Sequence, residues 1–269
     1  MKCRIVSHKK DETGYFHLVI DAPEITRECV PGQFLMLKVS GEELDPLLRR
    51  PISIMDAHEN GHLEMLYKVV GKGTRILARI PEGFELDIIG PLGNGFDIPE
   101  APHKAILVGG GIGIPPLVNL CRKLTLNPSN RVAAFLGARS GNDLPMVKRF
   151  EKLGARVFTT TETGDTGQKG LVTAPLIKFL ENDEDKDQKT EQELQNAVIY
   201  ACGPDPMLKA IKQLAESRGI PAQLSLEEHM GCGVGACLGC VVMTTEGYQR
   251  VCSDGPVFPS ETLKKWNSQ

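Results

Sequence analysis

Four cysteines close to one end constrain this chain more than any other feature. Cys232, Cys237 and Cys240 stand as C-x4-C-x2-C, and Cys252 follows after eleven further residues. That is the plant-type spacing of thiolates around a [2Fe–2S] cluster. Two irons bridged by sulfide need four thiolates converging on one small volume. Gly231, Gly233, Gly235 and Gly239 let the backbone fold closely around them. Val241–Thr245 and Tyr248–Val251 are β-prone runs about Glu246-Gly247, so they read as a hairpin that returns Cys252 to the other three. A zinc site usually pairs two short cysteine couplets, and a disulfide framework requires an oxidising compartment. Both stay open as alternatives to the iron–sulfur reading.

The rest of the chain must fold around that module. Its 269 residues suit two domains, or two plus a small module. With 31 basic against 34 acidic side chains, no basic surface for nucleic acid or anionic lipid is expected. The beginning, MKCRIVSHKKDETGYF, is charged where a secretory leader needs an apolar core, and no apolar run reaches membrane-spanning length. A soluble cytoplasmic protein is the expectation. Cys3, Cys29 and Cys121 are scattered without a pairing pattern and read as buried free thiols of a reduced compartment.

From residue 3 to about 97 the pattern is short β-like runs separated by turns: CRIVSHKK, YFHLVIDA, QFLMLKVS, PISIMDAH, HLEMLYKVV and FELDIIGPLG. Only a short stretch near Thr74–Ile80 has helical character. Alternating strands at this spacing predict a small antiparallel barrel. Within it, Arg50 offers a planar donor fork and Ser53 a hydroxyl suited to a flavin ring edge or a phosphate. Gly73 and Thr74 open a short helix whose first amides favour a pyrophosphate. Tyr67 is placed to cover a flavin face or a ribose. Each stretch alone is equally readable as plain barrel.

At this point the chain resembles a known family, the ferredoxin-reductase-like flavoproteins, and within them the electron-transfer subunits of NAD-dependent, two-subunit dihydroorotate dehydrogenases. The resemblance is carried by RRPISI at 49–54, LYKVVGKGT at 66–74, GPLGNGF at 90–96 and LEEHMGCGVGACLGC at 226–240. It implies FAD held by Arg50, Pro51, Ile52 and Ser53 near the isoalloxazine. Leu66, Tyr67 and Lys68 would lie beside the ring, and Gly73 and Thr74 at the pyrophosphate.

From about Pro102 strands alternate with helices. Lys104–Val108 reads as an apolar strand, Gly109–Gly113 as a tight loop and Pro115–Leu126 as a helix with Leu117, Leu120, Cys121 and Leu124 on one face. Arg131–Leu136, Arg156–Thr160 and Ala197–Ala201 read as further strands, and Leu144–Leu153, Thr173–Leu180 and Pro206–Arg218 as helices. This alternation predicts a doubly wound parallel sheet. Its strand ends carry GGGIGIPP and Cys202-Gly203-Pro204, where a dinucleotide is expected, although the first loop is not the common G-x-G-x-x-G pattern. The resemblance implies that NAD lies between these loops, on Gly110, Gly111, Gly113, Ile114, Pro115, Cys202, Gly203 and Pro204. It further implies that Cys202 stands beside the reacting nicotinamide carbon, as the one catalytic candidate. An inert thiol at a strand end is the alternative. Asp205-Pro206 reads as a cap and first helical residue, and the charged run 181–196 as a solvated loop.

The expected organisation is therefore a FAD-binding barrel at 1–99, an NAD-binding α/β domain at 100–225 and a [2Fe–2S] module at 226–269. A flavin between a hydride carrier and a one-electron centre is the natural junction. The resemblance implies an FMN-containing catalytic partner that oxidises dihydroorotate, a heterotetramer of two subunits of each kind, and a place in pyrimidine biosynthesis. NAD over NADP rests on the resemblance alone, since Arg139 and Ser140 stand where a 2′-phosphate could be met. The rival readings are a flavin and iron–sulfur subunit of a ferredoxin:NAD(P) oxidoreductase or hydrogenase, and a redox sensor without catalysis.

Overall fold

The structure, a computed structural model, describes residues 1–40, 45–101, 103–181 and 196–264. The chain divides into two compact units, one of residues 1–95 with 227–257 and the other of residues 96–226 with 258–269. The inner part of the charged run 181–196 lies outside the described residues.

The first unit is built on an antiparallel sheet of β1 (Lys2–Lys10), β2 (Tyr15–Asp21), β3 (Phe34–Lys38), β4 (Arg50–Ser53), β5 (Asp56–Ala57), β6 (His62–Lys68) and β7 (Glu85–Leu92). Strand order is β4-β3-β7-β1-β2-β6-β5. The two edge strands, β4 and β5, are separated in sequence by Ile54 and Met55 alone, so the edges of the sheet must meet. They do so through Ile54 N–H donating to Gln33 O at 3.0 Å and Met55 N–H to Glu64 O at 2.8 Å. The sheet is a barrel closed by its own chain, which leaves no long exposed edge. Alternation along β6 sends Leu63, Met65 and Tyr67 into the core with Leu18, Ile20 and Leu37. Burying each such side chain stabilises by about 1.5–3 kcal/mol relative to exposure.

Two short helices join these strands: α1 (Pro23–Glu28), not foreseen from sequence, and α2 (Lys72–Leu77). Helix α2 begins earlier than Gly73. Gly71 is its N-cap, and the Thr74 hydroxyl accepts from Val70 N–H at 3.0 Å and Gly71 N–H at 3.2 Å.

The second unit carries a parallel sheet: β8 (Lys104–Gly110), β9 (Arg131–Ala138), β10 (Arg156–Thr161), β11 (Gln168–Lys169), β12 (Ala197–Cys202) and β13 (Ala222–Ser225). The order β11-β10-β9-β8-β12-β13, with a further strand β16 (Val257–Pro259) beside β13, winds outward in both directions from the β8/β12 pair. Helices α3 (Leu117–Thr125), α4 (Val147–Lys152), α5 (Thr173–Glu181) and α6 (Asp205–Arg218) alternate with the strands. The predicted doubly wound sheet is present. Its core includes stacked Phe135 and Phe158 rings, 4.6 Å apart, with Phe179 edge-on at 5.2 Å. Asp205 does not cap α6. Pro204 takes the N-cap position with no side-chain bond, and Asp205 is the first helical residue; the fixed φ of Pro204 and its extended backbone start the helix instead. Beyond β13 the strands are β14 (Val241–Thr244) and β15 (Gly247–Arg250), which pair antiparallel as the expected hairpin, and β16 (Val257–Pro259). Among the described residues no helix is long and apolar enough to cross a membrane.

Candidate functional site

All eight cysteines are free, and four of them share one loop. Cys232 Sγ accepts three backbone N–H groups, from Val234 at 3.4 Å, Ala236 at 3.3 Å and Cys237 at 3.4 Å. Gly235 N–H donates to Cys252 Sγ at 3.2 Å, and Cys252 N–H to Cys240 Sγ at 3.4 Å. The loop thus encircles its sulfurs with amide donors, the arrangement that stabilises charge on thiolate sulfur. Gly233 and Gly235 make the turns at φ +75° and +79°, where a side chain is strained, and a Cβ on Gly231 would stand 3.2 Å from Cys237 Sγ.

The four thiols fall into two neighbouring couples, Cys232 with Cys237 and Cys240 with Cys252. Their chemistry differs. Backbone donation from Val234 and then Cys237 lowers the Cys232 pKa to about 6. Burial, then the adjoining Cys240 thiol, raises that of Cys252 to about 11. Cys232 is prepared as thiolate, whereas Cys252 gives up its proton only to a cation. Four thiols in one amide-lined loop, at the plant-type spacing, fit the four thiolates that a [2Fe–2S] centre needs. Elsewhere, burial pushes the Cys121 thiol up to about 12 and raises that of Cys3, as expected for inert packing thiols.

The cluster loop is seated on the barrel by the stretch GPLGNGF. Asn94 N–H donates to Gly255 O at 2.6 Å, and Asn94 Nδ2 donates to Asp254 O at 3.0 Å. A Cβ on Gly93 would lie 2.6 Å from Gly255 O. This clasp holds the chain just past Cys252. On the other side, Gly233 meets Met36 so closely that a Cβ would stand 2.5 Å from Met36 Cγ. Met36 pairs with Pro51, and Phe34 with Ser53, in the β3–β4 register. The cluster loop and the flavin-type strand β4 are therefore one β3 strand apart.

The arginine pair in that strand divides its work. Arg49 donates to Asp87 Oδ2 and Asp87 O, both at 2.8 Å, and so ties β4 to β7. Arg50 instead lies over the start of α2, with its Nη1 on Leu48 O at 2.7 Å. A Cβ on Gly73 would be 2.1 Å from Arg50 Nε. Arg50, Gly73 and the α2 amides thus share one place, as an anion cradle requires. Ile52 is in the core, while Pro51 and Ser53 are half-buried. Leu66 and Lys68 share the face of β6 opposite to Tyr67. The Tyr67 ring is in the core, 2% exposed, stacked on Phe16 at 5.4 Å with its hydroxyl 2.9 Å from His8 Nε2. Burial raises its pKa. The ring is thus packed within the barrel core, where the expectation had it over a cofactor face.

In the second unit GGGIGIPP and Cys202-Gly203-Pro204 end the adjoining strands β8 and β12, at the point where the sheet reverses direction. The two loops touch through backbone. A Cβ on Gly113 would stand 2.4 Å from Cys202 O, and one on Gly110 2.8 Å from Pro204 Cδ. A cavity of about 390 Å³ opens beside them. Of the residues expected there, Gly110, Gly111 and Pro204 line it. Gly113, Ile114, Pro115, Cys202 and Gly203 are buried beneath. The Cys202 thiol is 2% exposed and is not part of the cavity wall. Sequence reading missed Glu162, Val172, Thr173 and Met207, which complete the wall with Arg139. Glu162 follows β10, the strand next to the one that delivers Arg139, so strand-end logic could have found it; the segment at 170–173 carries no such signal.

Three stretches of the chain match known families. A model described as the iron–sulfur cluster binding domain of dihydroorotate dehydrogenase B matches residues 227–264. Models of an oxidoreductase NAD-binding domain and an oxidoreductase FAD-binding domain match 107–213 and 3–96. The chain carries FAD-binding, NAD-binding and iron–sulfur domains. It is 41% identical over 250 residues to the dihydroorotate dehydrogenase B (NAD(+)) electron transfer subunit of Desulforamulus reducens, covering 91% of this chain and 90% of that protein. With the like-named protein of Shouchella clausii it shares 42% over 262 residues, covering 95% and 94%. Among solved structures, that of an NADH-dependent reduced ferredoxin-NADP oxidoreductase superposes with a TM-score of 0.81 at 31% identity, covering 97% of this chain and 89% of that one. A Neisseria gonorrhoeae ferredoxin NADP+ reductase with bound FAD and NADP reaches 0.67 at 18% identity over 81% and 91% of the two chains, a likeness of fold alone.

Proposed function

We propose, from the premise that this chain belongs to the family of dihydroorotate dehydrogenase B (NAD(+)) electron transfer subunits, that it carries electrons from a dihydroorotate-oxidising partner to NAD+ in pyrimidine biosynthesis. The partner is an FMN-containing catalytic subunit, two of each forming a heterotetramer in the cytoplasm. Dihydroorotate gives up two electrons and two protons to become orotate; NAD+ takes both electrons and one proton to become NADH. The chain has the corresponding parts in three segments, 1–99, 100–225 and 226–269.

The observation that carries this reading is the seating of the cysteine loop on the barrel strand β3, beside Pro51 and Ser53. Cys232 and Cys237 would hold one iron and Cys240 and Cys252 the other, in a [2Fe–2S] centre, with five amide donors spread over Cys232, Cys240 and Cys252 to favour the reduced, more negative state. Bound FAD exchanges a hydride with nicotinamide and single electrons with an iron–sulfur centre. Arg50 and the α2 amides at Gly73 and Thr74 would neutralise the flavin pyrophosphate. Pro51, Ile52 and Ser53, with Leu66, Lys68 and the Tyr67 main chain, would wall the ring. Gly110, Gly111 and Pro204 admit the NAD phosphates close to backbone. Gly113, Ile114, Pro115 and Gly203 hold the two loops in contact, and Cys202 fixes the strand end beneath the nicotinamide. No side chain need transfer a proton for hydride exchange. Neither nucleic acid nor membrane enters the cycle.

The test is anaerobic purification of the chain with and without its co-expressed partner, with iron, sulfide and flavin assayed before and after NADH. About two irons and one FAD per chain, both centres bleached by NADH, and dihydroorotate:NAD+ activity only with the partner are the expected results. The similarity to the ferredoxin-NADP oxidoreductase structure favours a second reading. Bleaching by NADPH or reduced ferredoxin with no dihydroorotate activity would establish that reading instead.

A further inference from the structure

We propose that the hairpin closing the barrel holds a divalent transition metal of the zinc type, at Asp56, His58 and Glu64, separate from the iron–sulfur centre. Ligand atoms of these three side chains lie within 4.8 Å of one another. Two ligands bound to zinc at tetrahedral angles are about 3.3 Å apart for metal–ligand lengths near 2.0–2.1 Å. The three atoms are therefore within about 1.5 Å of the spacing such an ion requires.

The backbone presents these groups rigidly. Asp56 and Glu64 are directly opposite in the β5–β6 register, which puts both carboxylates on one face of the sheet. His58 follows β5 in a tight turn, its N–H donating to His62 O at 2.9 Å and its carbonyl accepting from Gly61 N–H at 3.0 Å. His58 Nε2 meets Glu64 Oε1. The opposite Glu64 oxygen, Oε2, is held by His17 Nε2 at 2.9 Å from the adjoining strand β2, where His17 stands diagonal to Glu64. Asp56 Oδ1 accepts the Ala57 amide at 3.0 Å.

Burial and donor type select the ion. Asp56 is fully buried and Glu64 is 9% exposed, so these are not solvated surface acids. An oxygen of Asp56 and one of Glu64 lie within 4.8 Å of each other, and a cation between them relieves their repulsion. Imidazole with carboxylate suits zinc and its first-row neighbours, and disfavours calcium and magnesium, which take oxygen ligands. Three protein ligands leave one position for water. His17, bonded to a ligand carboxylate, is a positioning residue of the kind whose loss weakens metal binding by roughly 10–100-fold. The ion would link β5 and β6 where the barrel closes, three residues past the end of β4.

The experiment uses the full chain loaded with FAD and iron, dialysed against Zn2+ and then against metal-free buffer. Zinc, iron and FAD are measured, and zinc K-edge EXAFS identifies the donor atoms. Expected are one zinc per chain in an oxygen and nitrogen shell, unchanged iron and FAD, and a raised thermal midpoint. His58→Asn, which suits the turn, and Glu64→Gln should each lower zinc affinity at least tenfold with iron and FAD retained; His17→Ala should lower it by a similar or smaller factor. Three results would overturn the proposal: no zinc retained by the wild-type chain, sulfur scattering around the zinc, or variants that retain zinc like the wild type.

Discussion

The cluster loop and the nucleotide loop are both rich in glycine, yet glycine does different work in each. In the cluster loop, Gly233 and Gly235 supply left-handed turns at φ +75° and +79° that bring sulfurs and amides together. In the nucleotide loop, Gly110 and Gly113 are needed because a neighbouring strand end occupies the space where a Cβ would be. In the cluster loop a left-handed φ strains any side chain at Gly233 and Gly235, although Met36 also crowds Gly233, whereas at Gly113 packing alone excludes one. The first is a local property and the second a tertiary one. Substitutions should therefore separate them cleanly, the cluster failing without the nucleotide site and the reverse.

The largest effect belongs to the ligands. Cys237→Ser should remove most of the iron and abolish dihydroorotate:NAD+ activity in the complex, while NADH still reduces the FAD. Iron assay and anaerobic flavin bleaching read the two halves, and simultaneous loss of FAD would break the comparison. Next is Gly113→Ala, whose methyl would sit 2.4 Å from a backbone carbonyl oxygen. Such overpacking costs about 1–3 kcal/mol, and NADH binding should weaken with iron content unchanged, as calorimetry and iron assay would show.

Gly73→Ala should act more gently, because its methyl meets the Arg50 side chain, which can move. A roughly tenfold weaker FAD affinity, about 1.4 kcal/mol, is the expected outcome in a flavin-release titration. Smallest is the pH effect at the cluster hairpin. Arg250 pairs with Asp254 through Nε at 2.9 Å and Nη2 at 3.0 Å, and Arg250 Nη1 also reaches Gly235 O at 3.3 Å. The Arg250 side chain and backbone N–H hold the Asp254 pKa below its usual value. A depressed folded-state pKa means stability fully present above the unfolded value, near 3.9, and lost as pH falls through the folded one. Asp254→Asn should thus accelerate iron loss modestly at neutral pH, and the difference from wild type should vanish in acid.

The same contrast explains what the sequence disclosed. Hairpin and barrel strands are local patterns and appeared close to their expected places, except that the run PISIMDAH is split into β4 and β5 at opposite edges of the sheet. The turn of the hairpin shifted by one residue because Gly247, at φ +103°, begins β15. Alternation hid the role of Tyr67: an aromatic ring beside a cofactor motif suggested a cover, but the β6 register turns it into the core. The cavity wall at Glu162, Val172 and Met207 comes from two connections and the first turn of α6, which only tertiary packing brings together. Arg49 and Arg50 look alike in sequence; Asp87 binds the first, while the second lies over Gly73.

The most direct test of the account is anaerobic reduction of the reconstituted complex by dihydroorotate, compared between wild type and Cys237→Ser. In the wild-type complex, dihydroorotate should bleach the iron–sulfur centre and the FAD. In the variant it should reduce only the partner's flavin, while added NADH still reduces the FAD of this chain. Reduction of that FAD by dihydroorotate at the wild-type rate, without the cluster, would show that the cysteine loop is not on the electron path.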